Sequence, residues 1–166
     1  MKQFLVFSDT HGDIFAMREI INAYPHIDNI IHLGDYCRDT RIIKNEFPHL
    51  NIISVMGNCD FSVDVPEEII HEVEGKRIFI THGHYLSVKS GTTRLEKKAE
   101  KDNLDVVLFG HTHIPLIKMV SSTLILNPGS LGCPRSDSGS TYAILKVGKD
   151  KVDAVLHRLS SINMKL

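Results

Sequence analysis

Carboxylates, imidazoles and one carboxamide gather in five short polar clusters of this chain: Asp9-Thr10-His11, Gly34-Asp35, Gly57-Asn58-Cys59-Asp60, Thr81-His82-Gly83-His84 and Gly110-His111-Thr112-His113. In an extended Asp-x-His both side chains point to the same face, so Asp9 and His11 could reach one ion together. The same spacing recurs in His82-x-His84 and His111-x-His113. A hard carboxylate combined with borderline imidazoles suits Mn, Fe, Ni or Zn better than Ca. Asp35 has two oxygens with which to bridge two ions, and Asn58 offers a neutral carbonyl oxygen. Two ions about 3.5–4 Å apart lower the pKa of a shared water and clamp both oxygens of an in-line displacement. Phosphoryl hydrolysis, governed by positioning and charge neutralisation, is the reaction such a centre serves. Each cluster alone says little. A single His at a strand end usually bonds its own loop, Gly-Asp and Gly-Asn are ordinary turn dipeptides, and Asp13 is a better helix cap than Asp9. Their joint occurrence carries the reading.

Every cluster closes an apolar run: Phe4-Leu5-Val6-Phe7, Ile30-Ile31-His32-Leu33, Ile52-Ile53-Ser54-Val55-Met56, Ile78-Phe79-Ile80 and Val106-Val107-Leu108-Phe109. Such runs predict buried strands, and in an open α/β sheet the ligand crevice lies at the carboxyl ends of the strands. Ile14 to Tyr24 has helical apolar spacing stopped by Pro25, and a second helix is expected around Arg38 to Glu46. The segments before and after Gly75-Lys76 read as a hairpin, and a charged helix from about Thr92 to Asp102 leads into the next strand. The last third reads as β throughout, with strands around Leu116–Val120, Thr123–Leu126, Tyr142–Val147 and Val152–Arg158. The expected fold class is α/β: a two-sheet β-sandwich flanked by helices, built as a single domain over residues 1–166.

With 166 residues and a net charge of −1, the chain can bury a core and has no global attraction for nucleic acid or anionic membranes. No apolar stretch is long enough to span a bilayer, and the first strand begins too close to Met1 for a signal peptide. Cys37, Cys59 and Cys133 are odd in number and form no Cys-x-x-Cys pair, which fits a reducing compartment and a cytoplasmic setting. Neither a nucleic-acid-binding motif nor a glycine-rich nucleotide fingerprint is present.

The order Asp9-x-His11, Gly34-Asp35, Gly57-Asn58-Cys59-Asp60, His82 and Gly110-His111-Thr112-His113 resembles the calcineurin-like metallophosphoesterases. Asn127-Pro128-Gly129-Ser130 is similar to a further stretch of small members, and chain length resembles the small bacterial and archaeal phosphodiesterases of the YfcE type. The resemblance implies a four-layer αββα fold. It also implies two divalent ions, Mn foremost, with Ni, Fe or Zn as alternatives. One ion would take Asp9, His11, Asp35 and His113, the other Asp35, Asn58, His82 and His111. A metal-bridging hydroxide would attack the phosphorus of a small phosphodiester in line, with Asp35, Asn58, Cys59 and His82 in catalytic positions. Cys59 departs from the family pattern, which has a phosphate-contacting His there. Either its loss favours activated diesters over monoesters, or Cys59 is only a small buried residue. Asn58, Cys59 and Arg135 are candidates for substrate contact. His84 is expected either to support a neighbouring ligand or to be polar lining, and Ser130 lacks the Gly-x-Ser-x-Gly setting of a nucleophile. The absence of a cap domain leaves a shallow site that a homodimer could complete. A non-catalytic metal-binding scaffold of the same fold is the alternative.

Overall fold

A computed structural model of the chain describes residues 1–61 and 64–161. The elements follow in the order β1 (Lys2–Phe7), α1 (Ile14–Ala23), β2 (Asn29–His32), α2 (Arg38–Glu46), β3 (Asn51–Ser54), β4 (Glu68–Val73) and β5 (Lys76–Thr81). Then come α3 (Thr93–Lys101), β6 (Val106–Leu108), β7 (Leu116–Val120), β8 (Thr123–Asn127), β9 (Thr141–Val147) and β10 (Val152–Arg158). Two five-stranded mixed sheets result, ordered β10-β9-β1-β2-β3 and β4-β5-β6-β8-β7. Strands β1, β2 and β3 pair in parallel, as do β5, β6 and β8, while the hairpin partners at the sheet margins run antiparallel.

The two-residue period of each strand sorts its side chains between two cores. Phe4 and Val6 of β1 meet the inner faces of β5, β6 and β8 through Ile78, Ile80, Val106, Leu108, Leu124 and Leu126. Leu5 and Phe7 turn outward onto Ala16, Met17, Ile20 and Ile21 of α1. On the second sheet Phe79, Val107 and Ile125 turn outward onto Leu95 and Ala99 of α3. Four layers therefore stack as helix, sheet, sheet, helix, the expected fold class. The α1 helix begins at Asp13, whose carboxylate accepts the Ala16 N–H at 3.0 Å, so Asp13 rather than Asp9 is the cap.

One expectation needs correction. The run Ile52 to Met56 is not a buried strand: β3 covers only Asn51–Ser54, is half-exposed, and forms the edge of its sheet. With a neighbour on one side only, its apolar residues are covered on fewer sides than those of β1 or β6. No helix among the described residues is long and apolar enough to cross a membrane.

Leu108 is fully buried between the sheets, whereas Met119 is 61% exposed. Leu108→Ala should cost about 3 kcal/mol in denaturant unfolding. Met119→Ala should stay within about 0.5 kcal/mol of the unaltered chain. Equal effects would contradict this account of the core.

Candidate metal centre

The loops after β1, β2, β5 and β6 are stitched together by main-chain bonds. Asp9 N–H donates to Gly34 O at 3.0 Å, Gly110 N–H to His82 O at 3.1 Å, and Gly132 N–H to Asp9 O at 3.2 Å. Within these loops Asp9, His11, Asp35, His111 and His113 have φ values of 52, 46, 58, 67 and 61°. Left-handed backbone is uncommon for residues with a Cβ and gathers at functional sites, where surrounding contacts must hold it. This overturns the expectation that Asp9 with His11, and His111 with His113, share a face through strand geometry. Asp9 and His11 converge from left-handed positions in a loop, whereas the left-handed His111 and His113 part, His113 toward Asp9 and His111 toward His82.

Close approach explains two of the glycines. Gly34 has φ of 96°, and a Cβ there would strike the main chain of Gly57. A Cβ on Gly57 would strike both the main chain and the carboxylate of Asp35. The two turn dipeptides therefore touch: a side chain at position 34 would displace Gly57 or His82, and one at position 57 would displace Asp35.

The donor atoms of Asp9, His11, Asp35 and His113 lie within 4.8 Å of one another. His113 Nδ1 is 2.5 Å from Cys133 O, and a carbonyl can only accept, so Nδ1 holds the ring proton. The bare Nε2 then faces Asp9 Oδ1 at 3.0 Å. Asp9 Oδ1 and His11 Nε2 are buried without a hydrogen-bond partner, and His11 Nε2 stands 3.8 Å from Asp35 Oδ2. Lone pairs thus confront lone pairs, which a cation between them would relieve. Contact with Asp9 raises the pKa of His113 against the opposing effect of burial. Burial pushes Asp9 up, but His113, His82 and Ser8 together outweigh it and hold the carboxyl below its usual range.

Alongside lies a second convergence. His82, fully buried, gives its Nδ1 proton to Leu33 O at 2.7 Å. Its bare Nε2 is 3.1 Å from Asn58 Oδ1, 3.2 Å from His111 Nδ1 and 3.5 Å from Asp35 Oδ1. Burial, with His82 and Lys89 nearby, pushes the pKa of His111 down to about 4, so that ring is a neutral donor at physiological pH. The seven residues expected as ligands are therefore brought together, with Asp35 reaching toward both groups. Their donor set of imidazole nitrogens, carboxylates and a carboxamide fits divalent first-row ions.

Of the supporting residues, Asp60, Asn127 and Ser130 lie in stretches that the sequence singled out, and Asp39 does not. Buried Asp39 of α2 accepts from Thr10 Oγ1 at 2.7 Å and from the Gly12 N–H at 2.9 Å, fixing the turn that carries Asp9 and His11. Asp60 accepts from the Cys37 N–H at 2.7 Å and from the Gly57 N–H at 2.9 Å, tying the Asp35 loop to the Asn58 loop. Buried Asn127 donates to Gly110 O at 2.9 Å, and Ser130 donates to Asp9 O at 2.8 Å. Ser130 is thus a buried brace, and the Asn127-to-Ser130 stretch was the signal available for it. Asp39, one acidic residue in a charged helix, carried none.

Cys59 is exposed beside Asn58, against the second of the two readings, a small buried residue; the buried thiol is Cys37. Partial desolvation and the Asp35 carboxylate push the Cys59 thiol up to about 11, so it stays protonated and neutral. His84 lies with its ring 5.3 Å from that of His82 and packs on Tyr85. Arg135 is exposed, and its main-chain N–H donates to His113 O at 3.2 Å.

A helix-flanked double sheet with imidazoles and carboxylates converging at its loop end defines the class of calcineurin-like phosphoesterases. The profile of the calcineurin-like phosphoesterase superfamily domain matches residues 1–150, and the chain belongs to that superfamily. It is 34% identical to the probable metallophosphoesterase YsnB of Bacillus subtilis over 148 residues, covering 88% of this chain and 85% of YsnB. It is 31% identical to the phosphodiesterase YfcE of Escherichia coli K12, covering 87% of this chain and 88% of YfcE. A conserved Streptococcus pneumoniae protein, described as a predicted phosphoesterase, superposes with a TM-score of 0.81 at 27% identity, covering 96% of this chain and 90% of that one.

Because a Cβ at position 57 must displace Asp35, Gly57→Ala should weaken divalent-ion binding, probed with Mn, by about 10–100-fold. Isothermal titration measures this, with circular dichroism as the control for folding. Affinity equal to that of the unaltered chain would mean that the loop yields without disturbing Asp35.

Proposed function

We propose that this chain is a metal-dependent phosphodiesterase in which Asp9, His11, Asp35 and His113 hold one divalent ion and Asp35, Asn58, His82 and His111 a second. The observation that carries this reading is the position of Asp35, whose two oxygens lie 3.8 Å from His11 Nε2 and 3.5 Å from His82 Nε2. One carboxylate so placed serves both clusters. Bound ions of this kind supply charge neutralisation for the phosphate and an activated water for in-line displacement. The chain orients that chemistry: His82 and His113 are locked by the Leu33 and Cys133 carbonyls, and Asn58, at the exposed edge of the cluster, places its Oδ1 3.1 Å from His82 Nε2. Mn is the proposed ion, with Ni, Fe and Zn compatible with the same donors. The cytoplasm is the proposed setting, consistent with three free cysteines.

Cys59 shapes the choice of substrate. A neutral thiol offers the departing oxygen no positive charge. Esters whose leaving group needs no help, such as activated diesters, would be favoured over monoesters that need neutralisation of a second charge. Asp60, tied to the main chain at both ends, holds the Cys59 loop in place.

Metal-stripped protein given Mn should hydrolyse bis-p-nitrophenyl phosphate faster than the p-nitrophenyl monoester. Asp35→Asn should reduce the diester rate by at least about 100-fold. Ions bound without hydrolysis under any metal would favour the scaffold alternative. In a separate comparison, Cys59→His should raise monoester relative to diester activity while metal content per chain stays the same. An unchanged ratio would remove Cys59 from the account of specificity.

A further inference from the structure

A groove of about 410 Å³ opens next to the cluster, between the turns that follow β5 and the segment that leads into β7. Its size falls within the range of small-molecule sites, about 300–1,000 Å³. The groove is continuous with the candidate centre. Thr112, which lines it, stands between His111 and His113 in the chain, and Arg135, also on its wall, is bonded to His113 through the main chain.

Two features of the wall define what would fit. Val88, Phe109, Ile114 and Pro115 present an apolar surface, and Ile114 is 50% exposed. Lys89 and Arg135 are the charged residues that line the groove, with no carboxylate beside them. The Lys89 ammonium and the Arg135 guanidinium make no ion pair or hydrogen bond among the described residues. Lys89 acts electrostatically on His111 and Arg135 on His113, so both cations lie within range of the cluster. Beyond Thr92, the Glu96 carboxylate is held by Lys118 at 2.5 Å and does not answer them. Two free cations over an apolar floor, at the edge of a phosphate-directed centre, call for an occupant that is itself both apolar and anionic.

We propose that this groove holds one alcohol half of the phosphodiester, and that it selects a half joining an apolar ring or chain to a second anionic group. The inference rests on the phosphodiesterase reading of the centre and adds the substrate class. The apolar body covers Phe109, Ile114 and Pro115, while the added anion meets Lys89 and Arg135. A diester with no second charge fills the floor but leaves both cations to solvent.

The test offers Mn-loaded protein p-nitrophenyl phenyl phosphate and its 3-carboxyphenyl counterpart. In either case water adds its oxygen to phosphorus, one ester P–O bond breaks, and a phosphomonoester and a phenol are released. Total ester consumption is followed, so that departure of either alcohol is counted. The carboxylated ester should have the higher kcat/KM by about tenfold, the worth of one charge-assisted contact. Lys89→Gln should reduce that ratio, and Lys89→Glu combined with Arg135→Glu should bring it below one. The ratio is taken within each variant, so a general loss of activity cancels. A ratio near one in the unaltered protein, or a preference that survives the double charge reversal, would overturn the inference and leave the phosphodiesterase reading standing. Failure to cleave either ester with Mn, Ni or Zn would overturn both.

Discussion

Two imidazoles each give their only ring proton to a main-chain carbonyl, His82 to Leu33 and His113 to Cys133, and the rest of the site depends on that constraint. Once the proton is committed, the opposite nitrogen must present a lone pair. Those lone pairs point at carbonyl or carboxylate oxygens: Asp9 Oδ1 in one case, Asn58 Oδ1 in the other. A protein interior does not ordinarily aim acceptors at one another, because unpaired buried polar atoms are costly. The arrangement makes physical sense around cations, and Asp35, placed toward both groups, is the carboxylate that would join them.

Holding such an arrangement requires the fold to oppose it from outside. Left-handed backbone at five of the seven candidate ligands would relax in an isolated loop. Here the loops are cross-bonded, Asp9 to Gly34 and Gly110 to His82, and the sheets beneath them are closely filled by Phe4, Val6, Ile80 and Leu108. Asp39 and Asp60 add a second tier, each accepting main-chain N–H groups from the loops that carry the donors. Their acidic side chains stand outside the candidate ligand set, and each acts by fixing where its neighbours stand.

The surroundings of the cluster are unequal. On the Asn58 side the exposed neighbour is a neutral thiol that contributes no charge. On the His111 to His113 side lies an apolar groove bearing Lys89 and Arg135. A substrate approaching this face therefore meets positive charge and apolar surface on one flank and little electrostatic help on the other. That asymmetry is a property of this chain's own residues, and it bears on selectivity within a superfamily whose central chemistry is shared.

The element pattern was written locally. Continuous apolar runs in Phe4 to Phe7 and Val106 to Phe109, helical spacing from Ile14 and the stop at Pro25 depend on near neighbours, and the observed strands and helices follow them. The types of the candidate ligands and their position at strand ends were legible for the same reason. What the tertiary structure decided concerns groups distant in sequence. Strand geometry pointed to paired faces for Asp9 with His11, yet main-chain bonds from other loops hold both residues left-handed. The apolar run of Ile52 to Met56 read as buried, yet the place of Ile52 to Ser54 at a sheet edge leaves them half-exposed, and only Val55 is fully buried. Cys59 is exposed and Cys37 buried, although both are lone cysteines in polar turns. Asp39 gained its role only when α2 brought it against Thr10, and Lys89 and Arg135 share a groove only because two loops fold beside each other. Local periodicity specifies which elements form. Which loops touch, and what their side chains then face, is set by long-range packing that no short stretch of sequence contains.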